Sequence, residues 1–184
     1  MLNYWTRPLD IAPPVRLDSA TVRLAAVAVF SAIAAMFQAM GGLFPGPGYA
    51  FSMLATLPVA VSILLFARTG LLSYPLCFAL LFFLQPSELV VFPFTTGLLG
   101  VSVGLAFLLF RRRLPIVFFN AAALSAGIAF ALYGLRFPVL GPEFPTRVGL
   151  AAVTVIVSFS LLYSWAWTEF TAFVWKRIAP ALRR

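Results

Sequence analysis

Long apolar stretches make up most of the chain, and each one ends at a short segment that is polar or rich in glycine and proline. A helix needs roughly 20 apolar residues to cross the hydrocarbon core of a bilayer, and most of the stretches approach this length. The pattern therefore predicts an all-α integral membrane protein, folded as one bundle of six transmembrane helices. The predicted helices are 21–40, 50–67, 71–84, 89–110, 116–135 and 148–167, with an interfacial tail at 1–20 and a basic tail at 168–184. The last helix can continue into the basic tail as an interfacial stretch to Arg177.

The third predicted helix is shorter than the others. Residues 71–84 would extend only about 21 Å at 1.5 Å per residue, which is less than the thickness of the hydrocarbon core. Irregular backbone at membrane depth is tolerated only where protein or a watery cavity surrounds it. We therefore expect a cavity beside residues 85–88, the turn that follows this helix.

Composition and charge support the membrane assignment and orient the chain. The chain is 62% hydrophobic and only 10% charged, and its mean hydropathy is +1.03. A net charge of +8 would suggest nucleic acid as the partner of a soluble protein. Here eleven of the 13 Lys and Arg residues fall on the side of the two termini, so the positive-inside rule predicts cytoplasmic termini and no nucleic-acid partner. The segments 41–49, 85–88 and 136–147 then lie outside.

The residue inventory limits the chemistry that the chain can perform. It has no histidine, one cysteine and five acidic residues, and it contains no Walker A or H-E-x-x-H motif. Cys77 lies in an apolar run and is expected to be a small core residue. We predict no cofactor, no metal site and no enzymatic activity. Any energised work would draw on another chain or on an ion gradient.

The polar residues near the external end of the third and fourth predicted helices form the candidate binding site. Glu88 is the only acidic residue between Asp18 and Glu143, and polar groups at membrane depth are a functional hypothesis by default. In the alternative interpretation, Glu88 is a solvated loop acid and the threonines bond back to their own helix. The predicted substrate-binding residues are Gln85, Glu88, Thr95 and Thr96, with Tyr49 for stacking and Gln38 and Arg136 to complete the pocket.

Small residues mark two faces at which helices can approach closely. Ala28, Ala32 and Ala35 form a stripe on the first predicted helix, which would pack either inside the bundle or against a partner membrane protein. Gly100 and Gly104 are four residues apart in the fourth predicted helix, where close packing within the bundle is expected.

Two sequence segments and the layout of the chain resemble a known family. The segments are L-P-V-A-V-S-I-L-L-F-A-R-T-G-L-L-S at 57–73 and P-F-T-T-G-L-L-G-V-S-V-G at 93–104. With six predicted helices, internal termini and an alanine-rich first helix, the chain resembles the S-components of energy-coupling factor (ECF) transporters. These are small membrane subunits of the bacterial or archaeal plasma membrane.

The resemblance implies a specific mode of action. Such a subunit captures a vitamin or similar micronutrient in an outward-facing pocket. It then topples in the bilayer against a transmembrane coupling protein that two cytoplasmic ATPases drive. The family's docking surface on the first helix corresponds here to Ala28 and Ala32.

Two other functional classes stay open at this stage. One is a non-catalytic scaffold of the cell-shape apparatus, of the rod-shape-determining membrane subunit type, which is similar in size and number of spans. It would use the small-residue faces to hold partners and would bind no small molecule. The other is a membrane-embedded enzyme of lipid metabolism. The absence of histidine disfavours it, and it would require a phosphate-sized site near residues 111–113.

Overall fold

The computed structural model describes residues 4–5, 8–9, 19–141, 144 and 148–180, and these residues form helices without any β-strand. A 3₁₀ turn at Gly70–Leu72 precedes α4, and a π-helical turn at Phe130–Gly134 extends α7. The α-helices are α1 Ala20–Leu43, α2 Pro47–Met53, α3 Thr56–Phe66, α4 Ser73–Leu84, α5 Glu88–Phe94, α6 Thr96–Leu109, α7 Arg113–Ala129 and α8 Leu150–Ile178.

Five helical segments of the described residues are long and apolar enough to cross a membrane. They are Ala20–Leu43, Pro47–Phe66, Glu88–Leu109, Arg113–Gly134 and Leu150–Ile178. A sixth apolar segment, Gly70–Leu84, is shorter, as the sequence predicted for the third helix. The prediction of an all-helical chain is thus confirmed, and the spans support a multi-pass membrane protein.

The fourth predicted helix is two helices with a sharp break between them. Pro93 lies inside α5 and lacks the N–H that a continuous helix would use. At Thr95 the backbone leaves the helical region, with φ −126° and ψ −94°. The Pro93 carbonyl accepts a hydrogen bond from the Tyr74 hydroxyl at 3.0 Å. The predicted fourth helix therefore does not keep one helical register through Thr95.

The last helix extends past the predicted span 148–167. A continuation of this helix to Arg177 was expected, and α8 runs without interruption to Ile178, while residues 181–184 lie outside the described part of the chain. Thr168, Thr171 and Trp175 are buried, so this extension packs on the bundle. Glu169 lies in the extension and accepts a hydrogen bond from Arg113 Nε at 2.7 Å.

The bundle is organised around α3, which is buried along nearly its whole length and packs mainly against α6. A Cβ at Gly100 would lie 2.9 Å from the Thr56 carbonyl oxygen, and one at Gly104 would lie 2.7 Å from Ile63 Cβ. The glycines thus let α6 approach α3, as their spacing predicted. Helices α1 and α4 pack together on one flank of the central pair, and α7 and α8 pack together on the other.

The described part of the N-terminal tail is attached to the end of the bundle where α7 begins. The Leu9 amide donates to the Arg111 carbonyl at 2.7 Å, and the Leu9 side chain is buried. The Arg113 guanidinium lies 4.6 Å from the centre of the Tyr4 ring, and Trp165 Nε1 donates to the Tyr4 hydroxyl at 3.3 Å. We call this end of the bundle the Arg113 end and the opposite one the Glu88 end.

Candidate functional site

Three helices each bring one polar side chain to the same point near the Glu88 end. Gln38 lies one turn before α1 ends, and Glu88 is the first residue of α5. Thr96 is the first residue of α6 because the break at Thr95 starts a new helix there. These three residues, together with Thr56 at the start of α3, form what we call the Gln38 cluster.

Short hydrogen bonds join the members of the Gln38 cluster. Gln38 Nε2 donates to Glu88 Oε2 at 2.7 Å, and Thr96 Oγ1 donates to Gln38 Oε1 at 2.6 Å. Thr56 Oγ1 donates to the Thr96 carbonyl oxygen at 3.2 Å. The amide of Gln38 is thereby fixed in orientation, with its nitrogen towards the carboxyl group and its oxygen towards the hydroxyl group.

The cluster is buried, which makes its hydrogen bonds necessary. Gln38 and Thr56 are fully buried, and Glu88 and Thr96 are only 6% and 8% exposed. Burying polar groups is unfavourable unless they are hydrogen-bonded, and a buried carboxyl group is especially demanding. Arg113 and Glu169 form the one ion pair among the described residues. Glu88 is therefore hydrogen-bonded to the Gln38 amide and not paired with a cation.

One carboxyl oxygen of Glu88 faces the end of α1. A Cβ at Gly41 would lie 3.2 Å from Glu88 Oε1 and 3.3 Å from Ser52 Oγ. Gly41 therefore allows α1 to approach both groups closely. Because Oε2 takes the bond from Gln38, Oε1 retains the capacity to accept hydrogen bonds from an N–H or O–H donor.

The structure brings together three of the predicted site residues, namely Gln38, Glu88 and Thr96. Gln85 lies nearby, since its side chain occupies the space where Gly42 would carry a Cβ. Its amide, however, donates to Ser87 Oγ at 3.0 Å and does not bond to the cluster.

The other predicted site residues lie apart from the cluster. Thr95 Oγ1 donates to the Val91 carbonyl at 2.6 Å, so this threonine bonds back to its own helix. Tyr49 is 57% exposed. Arg136 is exposed at a φ of 55°, and its side chain forms no hydrogen bond or ion pair with a described residue.

The predicted docking stripe on α1 is only partly accessible. Ala28 and Ala32 are exposed, whereas Ala35 is fully buried in an apolar core with Cys77 and Leu81 of α4. Including Ala35 in the stripe was therefore wrong. Neighbouring helices cover the second half of α1 and leave most of its first half open, which the spacing of alanines along one helix cannot show.

The sequence interpretation missed Thr56 and a group of polar residues between α7 and α8. Asn120, Ser160, Ser164, Thr168 and Thr171 are all fully buried. The recurrence of Ser and Thr every four residues from 160 to 168 was a usable signal, because such spacing places side chains on one helix face.

A short motif in α6 matches the spacing of a hydrolase site but not its structure. Residues 100–104 read G-V-S-V-G, the G-x-S-x-G form of a nucleophile elbow, which requires a strand-to-helix turn and a histidine base. Ser102 lies in the middle of α6, is 4% exposed and donates to the Leu99 carbonyl at 2.9 Å. The chain has no histidine, and Gly100 and Gly104 of this segment pack against α3.

An apolar groove of about 490 Å³ runs along the Arg113 half of α7 and the middle of α8. Its walls are almost entirely hydrophobic, and it is separate from the residues of the Gln38 cluster. Within the described residues, no group of three or more His, Cys, Asp or Glu side chains could hold a metal ion. The lining residues of the groove are Trp5, Leu114, Val117, Phe118, Leu161, Leu162 and Trp165.

Comparison of the chain with models of protein families, with curated proteins and with solved structures finds no match.

Proposed function

We propose that this chain is the substrate-binding subunit of a membrane importer, of the S-component type, and that it binds a small vitamin-like molecule at the Gln38 cluster. One observation carries the proposal: a carboxyl, an amide and a hydroxyl group from three helices meet at a buried point. Ionisable groups buried in a membrane protein are costly and typically mark sites of function.

The position of the cluster suits capture from outside the cell. Gln38 lies near the end of α1 and Glu88 begins α5, so the cluster is close to the turns that join α1 to α2 and α4 to α5. The distribution of Lys and Arg favours these turns as external, with both termini in the cytoplasm of a bacterium or archaeon. The resulting location is the plasma membrane, and the chain acts as a binding subunit and not as an enzyme.

The cluster also indicates which ligand groups it would recognise. Glu88 Oε1 accepts hydrogen bonds, and the Gln38 amide has a second N–H to donate. A ligand that carries an N–H or O–H donor beside an acceptor would match both. The exposed first half of α1, with Ala28 and Ala32, supplies the face for a transmembrane coupling protein driven by two cytoplasmic ATPases.

Mass spectrometry of the small molecules released from purified protein tests this function. We expect the unmodified protein to retain one compound. In Glu88→Gln the affinity for that compound should fall at least about tenfold, which corresponds to a loss of about 1.4 kcal/mol in binding free energy. Thr95→Val is the matched control, because the Thr95 hydroxyl bonds to its own helix. A folded protein that carries no compound, or one that Glu88→Gln retains equally, would contradict the proposal.

A second candidate function is a membrane scaffold that binds no small molecule. It is favoured by the exposed face on the first half of α1, and by the fact that the Gln38 cluster makes its hydrogen bonds within the chain. Cys77 is the single cysteine and is buried, so Ala32→Cys would introduce one reactive thiol on that face. Crosslinking to a membrane partner without any retained compound would select the scaffold.

A further inference from the structure

A row of buried polar side chains lies between α7 and α8, away from the Gln38 cluster. It comprises Asn120 of α7 and five residues of α8, and we call it the α7–α8 polar seam. None of its members carries an ionisable side chain. The α8 members are Ser160, Ser164, Thr168, Thr171 and Trp175.

The α8 members share one face of the helix. Their intervals of four, four, three and four residues keep successive side chains within one turn of each other along a stripe. At 1.5 Å per residue, the stripe from Ser160 to Trp175 extends about 22 Å along the helix axis. Trp175 is 2% exposed and the other four are fully buried, so the whole stripe faces the bundle interior.

Only one side-chain bond crosses the seam. Asn120 Nδ2 donates to Thr168 Oγ1 at 3.4 Å, and Thr168 Oγ1 donates to the Ser164 carbonyl at 2.7 Å. Most of the remaining polar atoms of the seam are buried and have no hydrogen-bond partner among the described residues. These atoms are Asn120 Oδ1, Ser160 Oγ, Ser164 Oγ, Thr171 Oγ1 and Trp175 Nε1.

This behaviour differs from that of the other buried serines. Ser31 donates to the Val27 carbonyl at 2.7 Å, and Ser102 donates to the Leu99 carbonyl at 2.9 Å. A buried polar atom without a partner is unfavourable, and five such atoms along one seam require a physical explanation. The seam atoms are therefore expected to bond to something other than the side chains that face them.

The spacing of the seam fits water as that partner. Side chains four residues apart on one helix face are about 6 Å apart along the axis, which is too far for a direct hydrogen bond. One water molecule with two bonds of about 2.8 Å spans that distance, and bridging water satisfies polar groups nearly as well as a direct bond. A neutral seam of hydroxyl, amide and indole groups offers both donors and acceptors to such molecules.

We propose that the α7–α8 polar seam is a hydration site, in which a file of bound water molecules links α8 to Asn120 of α7. The site does not depend on the Gln38 cluster or on the function proposed for it. Bound water at these positions holds the two helices together through hydrogen bonds that the side chains are too short to make directly.

Ser164→Ala and Thr171→Val test the proposal, because a hydrated seam and a dry seam predict different changes in the melting temperature. If water occupies the seam, each substitution removes one of its partners and should lower the melting temperature by about 2–4 °C. If the seam is dry, each substitution removes an unpaired buried group and should raise the melting temperature or leave it unchanged. Thr154→Val is the control on the same helix, because the Thr154 hydroxyl is exposed and bonds to the Leu150 carbonyl at 2.9 Å.

X-ray radiolysis of the unmodified protein gives a second readout, since hydroxyl radicals form where water is bound. We expect Trp175 to be oxidised although it is buried, and Cys77, which is buried among apolar side chains, to remain protected. Protection of Trp175 equal to that of Cys77 would overturn the proposal, as would a melting temperature for Ser164→Ala that rises or stays unchanged. Oxidation of Trp175 together with loss of stability in both variants would support it.

Discussion

The Gln38 cluster and the α7–α8 polar seam are both buried polar regions of an apolar protein, but they differ in how their polar groups are hydrogen-bonded. In the Gln38 cluster, three direct bonds of 2.6–3.2 Å join side chains and a carbonyl from four helices. In the seam, the one side-chain bond between helices is 3.4 Å long, and five atoms have no partner among the described residues.

The difference lies in the reach and origin of the side chains. Gln38 and Glu88 are long, come from different helices and can meet between them. The α8 members of the seam are mostly short and lie on one helix, where successive turns separate them by about 5.4 Å. Side chains on one stripe of a helix are too far apart to bond to one another directly, whereas long polar side chains that converge from several helices can.

The largest effect is expected from breaking the Gln38 cluster. Gln38→Leu removes the donor to Glu88 and the acceptor for Thr96, and leaves both buried groups without these bonds. We expect the free energy of unfolding in detergent to fall by about 3 kcal/mol, since each buried unpaired group costs about 1–3 kcal/mol. Chemical denaturation followed by circular dichroism measures the change.

A double variant distinguishes the loss of pairing from the loss of packing. Gln38→Leu combined with Glu88→Leu removes the stranded carboxyl group and should recover part of the lost stability. If the double variant were less stable than the sum of the two single variants predicts, pairing between these residues would not explain the effect.

An intermediate effect is expected where α7 contacts the end of α5, at Gly127. A Cβ at Gly127 would overlap the Phe94 carbonyl oxygen, so Gly127→Ala forces α7 away from α5. We expect a loss of about 2 kcal/mol in the free energy of unfolding, as is typical of overpacking. Gly149→Ala is the control, because a Cβ there would meet no atom within 4 Å. Equal stability of the two variants would contradict this tight contact.

The smallest losses of stability are expected from substituting two threonines whose hydroxyls have different partners. Thr56→Val removes the bond from α3 to the Thr96 carbonyl and should cost about 1 kcal/mol in the free energy of unfolding. Thr95→Val removes only a bond within one helix turn and should cost less than about 0.5 kcal/mol. Thermal unfolding of the pair in the same detergent measures the difference, and a larger loss for Thr95→Val would show that the break at Thr95 depends on its hydroxyl.

Most residues of the candidate site could be identified from the sequence, but the sequence did not show that they meet. Gln38, Glu88 and Thr96 stood out because each is polar and lies within or next to an apolar stretch. Their contacts join residues separated by 50 and 58 positions, so no local spacing encodes them. Thr95 and Thr96 are adjacent and chemically identical, and only the backbone break at Thr95 directs one to its own helix and the other to Gln38.

The sequence alone determined that this protein is an all-helical chain with the spans of a multi-pass membrane protein. Composition and the length of apolar stretches suffice for that conclusion, because a bilayer admits few kinds of backbone structure. Tertiary structure decided that the last turns of α8 pack on the bundle, that Ala35 is buried while Ala28 and Ala32 are exposed, and which polar groups meet. These features depend on how helices cover one another along their lengths. Such coverage is a property of the packed bundle and cannot be read from any single segment.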